Sequence, residues 1–175
     1  MKFYTCSELS RIACDAPREN HRLNSDLHKF DLLLLSTGLA ADVVNGAAAC
    51  FTRQGLRVRS IAYTEDIVLS DPCFLLDRVK SSRMLVHLLP EKSTIPDWLW
   101  LHIGMHEGRS PGSVALMPVI NTQAETLSGS LIPGLTLVAH TETGEQHNPC
   151  LNEAQQTVVS PEIFSLQNSC WGLAT

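Results

Sequence analysis

The sequence predicts an α/β domain in which a mainly parallel, five-stranded sheet is covered on both faces by helices. Three observations carry this reading. The run Phe30-Asp31-Leu32-Leu33-Leu34-Leu35-Ser36 is apolar almost throughout instead of at every second position, the pattern of a strand buried on both faces. Met84 to Leu89 and Ser113 to Ile120 repeat the pattern. Segments of helical periodicity separate the strands, which favours right-handed crossovers and parallel pairing.

The first strand, from Phe30, ends in Ser36, Thr37 and Gly38, which occupy the turn into a helix. Ala40, Val43, Val44, Ala47, Ala48 and Phe51 then recur at helical spacing, and Gly55 marks the stop. The alanines imply close approach of this helix to the sheet. Leu56 to Tyr63 is rich in β-formers and reads as a second strand, placed at an edge. A long connection, Thr64 to Pro72, leads to a helix through Phe74, Leu75, Leu76 and Val79, with Pro72 suited to its first turn. Met84 to Leu89 is the third strand, and Trp98, Leu101, Ile103 and Met105 lie on a helix starting at Asp97. The fourth strand is Ser113 to Ile120 and the fifth Leu135 to His140.

Residues 1–29 read as an N-terminal extension packed on the domain, with Ser7 capping a short helix that holds Leu9, Ile12 and Ala13. The α/β domain spans 30–140. Residues 141–175 read as a C-terminal extension docked on the same body through Trp171 and Leu173.

With 175 residues, 44% of them hydrophobic, the chain is sized for one core. A net charge of -5 gives no electrostatic reason to approach nucleic acid or anionic lipid. No apolar run approaches the roughly 18 residues of a membrane span. Glu8 and Arg11 interrupt the stretch where a signal peptide needs an apolar core, so a cytoplasmic location is expected. Six scattered cysteines without a C-x-x-C pair read as reduced thiols.

No G-x-x-x-x-G-K-[ST], G-x-G-x-x-G or G-x-S-x-G motif is present, which weakens the kinase, dehydrogenase and hydrolase readings. His102 and His106 stand four apart on one helix face beside Glu107, but a zinc site needs a third ligand, and no metal is expected. Ser36 and Thr37 either offer hydroxyls to a ligand phosphate or ribose, or cap the following helix. Glu65 and Asp66 are paired carboxylates in a long loop. Trp98 and Trp100 are two apart, so a helix cannot bury both.

The order of these elements resembles the Toll/interleukin-1 receptor (TIR) domain and its bacterial relatives over Lys29 to Ile120. The matching parts are the opening strand Phe30 to Ser36, the Gly55-Leu56-Arg57-Val58 passage into strand two and the acidic loop after it. Leu76 to Val86 matches the family's "helix, Ser-Arg, apolar strand" segment. Trp98 stands where a tryptophan precedes the key helix, and Met117-Pro118-Val119-Ile120 is similar to its proline-containing fourth strand.

The resemblance implies a flavodoxin-like three-layer sandwich with a nucleotide-accessible cleft at the carboxyl end of the sheet. Ser36, Thr37, Gly38, Glu65, Asp66 and Trp98 would line it. Enzymatic members cleave the nicotinamide–ribose bond of NAD with a glutamate about one turn beyond the tryptophan. Here His102 holds that position, and Glu107 lies roughly 140° further round the helix axis. Without the usual glutamate, the resemblance implies a nucleotide-binding or protein-interaction domain that signals by associating with itself or with another TIR-like domain. The alternative is an NAD or nucleoside N-glycosidase with His102 or Glu107 as the catalytic group. No cofactor is firmly implied; NAD or a related nucleotide is the expected ligand.

Overall fold

The computed structural model describes residues 3–16, 30–63, 72–91, 97–121, 135–139, 158–159 and 161, with the side chains of 72–76, 97–98 and 158–159 outside the description. Strand β1 (Tyr4–Thr5) leads into α1 (Cys6–Asp15). Then follow β2 (Phe30–Thr37), α2 (Ala41–Thr52), β3 (Val58–Tyr63), α3 (Pro72–Ser81) and β4 (Ser82–Pro90). The chain continues through α4 (Asp97–Arg109), β5 (Val114–Ile120), β6 (Thr136–Val138) and β7 (Val158–Val159).

All strand pairs are parallel, in the order β3-β2-β4-β5-β6-β7, with β1 added on β5. This is a flavodoxin-like α/β sandwich. Among the described residues it has seven strands instead of the expected five, because β1 and β7 are two-residue strands too short to show a period. Val119 pairs with both Pro90 of β4 and Tyr4 of β1, so β1 and β6 share one edge of β5, β1 towards its carboxyl end.

The solid apolar runs reflect two cores. On one face Leu32, Leu34, Met84, Val86, Leu88, Ala115 and Met117 pack with Val43, Val44, Ala47 and Phe51 of α2 and Leu9 of α1. On the other, Leu33, Leu35, Leu85, Val114 and Leu116 pack with Val79 of α3 and with Leu99 and Ile103 of α4. Each buried leucine stabilises the fold by about 1.5–3 kcal/mol. A polar residue at any of these positions would disturb one layer or the other.

Helix α1 is capped by Thr5 and not by Ser7. The Glu8 amide donates to Thr5 Oγ1 (3.1 Å) and the Thr5 amide to Glu8 Oε2 (2.9 Å), a reciprocal capping box that orients the helix off β1. Gly46 of α2 lets the Leu9 backbone in where the two helices cross. At the amino ends of the strands, Arg57 donates through its amide, Nε and a terminal nitrogen to Asp31, clamping β3 to β2. The second strand thus begins at Val58, two residues later than its pattern suggests. Among the described residues no helix is long and apolar enough to cross a membrane.

Candidate functional site at the carboxyl ends of the strands

Strand order reverses between β2 and β4. From β2 the chain crosses through α2 to β3 on one side, then through α3 back over β2 to β4 on the other. Connections leaving β2 and β4 therefore diverge, and open parallel sheets form their ligand crevice at such a point. A cavity of about 450 Å³ lies there. Its walls are Gly38, Leu39, Ala40, Asp42 and Val43 from the β2–α2 turn, Pro90 and Glu91 after β4, Val119 and Asn121 at β5, and Cys6 and Ser10 of α1.

Each polar group in this wall is positioned by the turn that carries it. Gly38, at φ +67°, takes a conformation that side chains disfavour and turns β2 into α2. Ala40, at the N-cap, offers no side-chain bond to the helix. Asp42 fills that role: the Ser10 hydroxyl, followed by the Val43 and Asp42 amides, holds its carboxyl below the usual aspartate range. Glu91 Oε2 accepts from the Asn121 side-chain amide (3.3 Å) and backbone amide (3.4 Å), tying the β4 and β5 exits together. Cys6 Sγ donates to Asn121 Oδ1 at 3.6 Å. Burial first, and then the Asp42 and Glu91 charges, push the Cys6 thiol up. It remains protonated at neutral pH and acts as a donor, not a nucleophile.

Among the described residues the wall presents two carboxylates, an amide, a hydroxyl and a thiol, with no lysine or arginine. Such a surface accepts hydrogen bonds from hydroxyl and amino groups or faces a cation. These described side chains do not neutralise a bare phosphate.

The residues singled out from sequence do not fall together. Gly38 lines the cleft. Ser36 is buried one residue inside the sheet, between Ala62 and Leu88, and Thr37 is half-buried opposite Tyr63. Glu65 and Asp66 lie outside the described residues. Trp98 is in the first turn of α4, and its side chain lies outside the description. His102 is buried on the α3–α4 face, its ring edge-on to Tyr63 with centroids 6.3 Å apart, and burial lowers its pKa.

Glu107 is carried to the other pole. Helix α4 runs antiparallel to the sheet, and the Glu107 carboxylate accepts from the amides of Gly112 (2.9 Å) and Val114 (3.1 Å) at the start of β5. His106, beside it, is buried with Nδ1 2.8 Å from Ser113 Oγ and Nε2 3.4 Å from Ser82 Oγ. The Ser113 and Ser82 protons go to the carbonyls of Ser110 and Val79. His102 and Glu107 are not brought together, and among the described residues no three His, Cys, Asp or Glu form a metal-holding group.

Asp42, Glu91, Asn121, Ser10 and Cys6 are cleft residues that the sequence reading passed over. A signal existed for three of them: Asp42, Glu91 and Asn121 are early polar positions after an apolar strand. Cys6 and Ser10 had none, since only the pairing of β1 with β5 brings α1 to the cleft.

No family model matches the chain, and no curated protein sequence matches it.

Proposed function

We propose that the chain is a TIR-like, flavodoxin-like domain that binds a nucleoside-containing ligand in the cleft between the exits of β2, β4 and β5. The observation that carries this is the coincidence of the cavity with the reversal of strand order, where this architecture leaves its connections apart. The chemistry of the wall supports the ligand class. Asp42, Glu91 and Asn121 suit ribose hydroxyls and ring amino groups, and Gly38 allows close approach at the turn. In NAD or ADP-ribose the ribose would enter this wall, with the diphosphate directed away from its carboxylates.

The placement of His102 and Glu107 favours binding over cleavage of an N-glycosidic bond. A buried histidine packed on Tyr63 and a carboxylate engaged by two amides at the far pole supply no fixed negative charge beside a ribosyl centre.

A thermal-shift series with adenosine, ADP-ribose, NAD and inorganic phosphate tests the reading. The nucleoside-containing compounds raise the melting temperature and phosphate alone does not. Absence of any shift with all of them overturns it.

A further inference from the structure

The amino ends of β3, β2 and β4, on the side covered by α3 and α4, carry a field of positive charge. Arg57, Arg59, Arg78, Lys80, Arg83 and Arg109 stand there, six of the thirteen lysines and arginines in a chain whose net charge is -5. The pleat explains why they share a side. Phe30 pairs with Ser82 and Leu32 with Val58, so Arg57, Asp31 and Arg83 form one row across three strands, and Arg59 follows two residues along β3. These positions have the parity of Leu33 and Leu85, which face α3 and α4. Both helices run antiparallel to the strands and bring their last turns, with Arg78, Lys80 and Arg109, to the same end.

Carboxylates do not balance this field. Among the described residues of these elements, Asp31, Asp77 and Glu107 lie at this end. Asp31 accepts from Arg57 at 3.0 and 3.1 Å, and Arg83 approaches it to 3.9 Å, so one carboxylate faces two guanidiniums. Glu107 is engaged by the Gly112 and Val114 amides. Burial, followed by the Arg78 charge, lowers the Arg59 pKa, which marks two guanidiniums held close enough to repel. The dipoles of α3 and α4 account for cations in their last turns. They do not account for Arg59 and Arg83, which lie on strands.

We propose that this end of the sheet docks an acidic segment of a partner protein, through carboxylates spaced along the segment. Asp31 displays the chemistry within the chain: its carboxylate takes two bonds from the Arg57 guanidinium fork. The side chains of Arg57 and Arg83 are 62% and 47% exposed, so neither is enclosed by the fold. They stand on either side of β2, roughly 10 Å apart at the backbone, a separation that suits two carboxylates of one chain better than one compact anion. A net charge of -5 opposes the dense phosphate charge of nucleic acid at long range, whereas a peptide with a few carboxylates meets the local field. Contacts between exposed charges are screened, so the complex is weak and salt-sensitive. The surface lies at the opposite end of the strands from the cleft, and the two bind independently.

A peptide of alternating glutamate and glycine, titrated at low salt into the isotope-labelled full chain, tests this, with its glutamine counterpart and oligothymidylate as controls. The glutamate peptide moves the amides of Arg59, Lys80 and Arg83 saturably and leaves Gly38 and Glu91 still, and the glutamine peptide moves neither group. Combining Lys80→Gln with Arg83→Gln weakens binding about tenfold or more, as does added salt. Far-UV circular dichroism shows whether the double variant folds; if it does not, Lys80→Gln alone, on the exposed end of α3, weakens binding about threefold. Absence of saturable movement with the glutamate peptide overturns the proposal, and so does an affinity that the variants leave unchanged. Tighter binding of oligothymidylate at the same residues, or the same movements on concentrating the protein alone, assigns the surface to nucleic acid or to a second copy and also overturns it.

Discussion

A Cβ on Gly46 would come within 2.9 Å of Leu9 Cα and overlap the Leu9 carbonyl, so the α1–α2 crossing is set by backbone against backbone. Neither partner can swing aside as a side chain would. Gly46→Ala is expected to lower unfolding free energy by about 1–3 kcal/mol or more, against the small gain alanine gives in a free helix. Urea denaturation measures it, and an unchanged or raised stability would show that α1 does not cross there.

Glu107 holds the α4–β5 turn. Removing its carboxylate with Glu107→Ala leaves the Gly112 and Val114 amides without their acceptor and is expected to cost about 1–3 kcal/mol. Ligand affinity at the carboxyl pole stays the same. A variant of wild-type stability with lost ligand binding would reverse this assignment.

Acid destabilises the fold through its buried histidines. Burial holds His87 at a pKa of about 4, and burial together with the Arg109 charge does the same for His106. Both folded values lie below the unfolded value near 6.5, so the unfolded chain binds protons first as pH falls. The stabilisation is complete above about pH 6.5 and is lost down to about pH 4, on the order of 3 kcal/mol for each histidine. Equilibrium unfolding across this window should show the decline, and His87→Gln should make it visibly shallower. An acid limb identical in the variant would assign the loss to other groups.

The fold was legible where every residue of a segment faced a core. Leu32 to Leu35 alternate between the α1–α2 and α3–α4 layers, so the run is apolar throughout and betrays a strand covered on both sides. Helices with a plain stop, such as α2 before Gly55, were legible for the same local reason. Tyr4–Thr5 was not, since a two-residue strand is defined by its partner Val119–Ile120, more than a hundred residues away. The cleft was legible in part. Gly38 announces itself at the end of a strand. Glu107 looked like a candidate because its neighbours in sequence are histidines, whereas its contacts, Gly112 and Val114, are set by a turn that spacing does not reveal.

Within the cleft, Glu91 and Asp42 differ in what they can give a ligand. Asp42 is engaged by Ser10 and its own helix, while Glu91 makes two long bonds to Asn121. Glu91→Gln is therefore expected to weaken adenosine binding by about tenfold, the value of one charge-assisted hydrogen bond. Asp42→Asn should act mainly on stability. Isothermal titration of both variants separates the two roles, and the reverse ranking would contradict it.

The proposed nucleoside-accepting cleft lies where strand order reverses between β2 and β4. Amide chemical shifts recorded while adenosine is titrated into isotope-labelled protein test it most directly. The largest movements are expected at Gly38, Asp42, Glu91 and Asn121, with Gly112 and Val114 still. Saturable changes centred on the amino ends of the strands, or none anywhere, would contradict it.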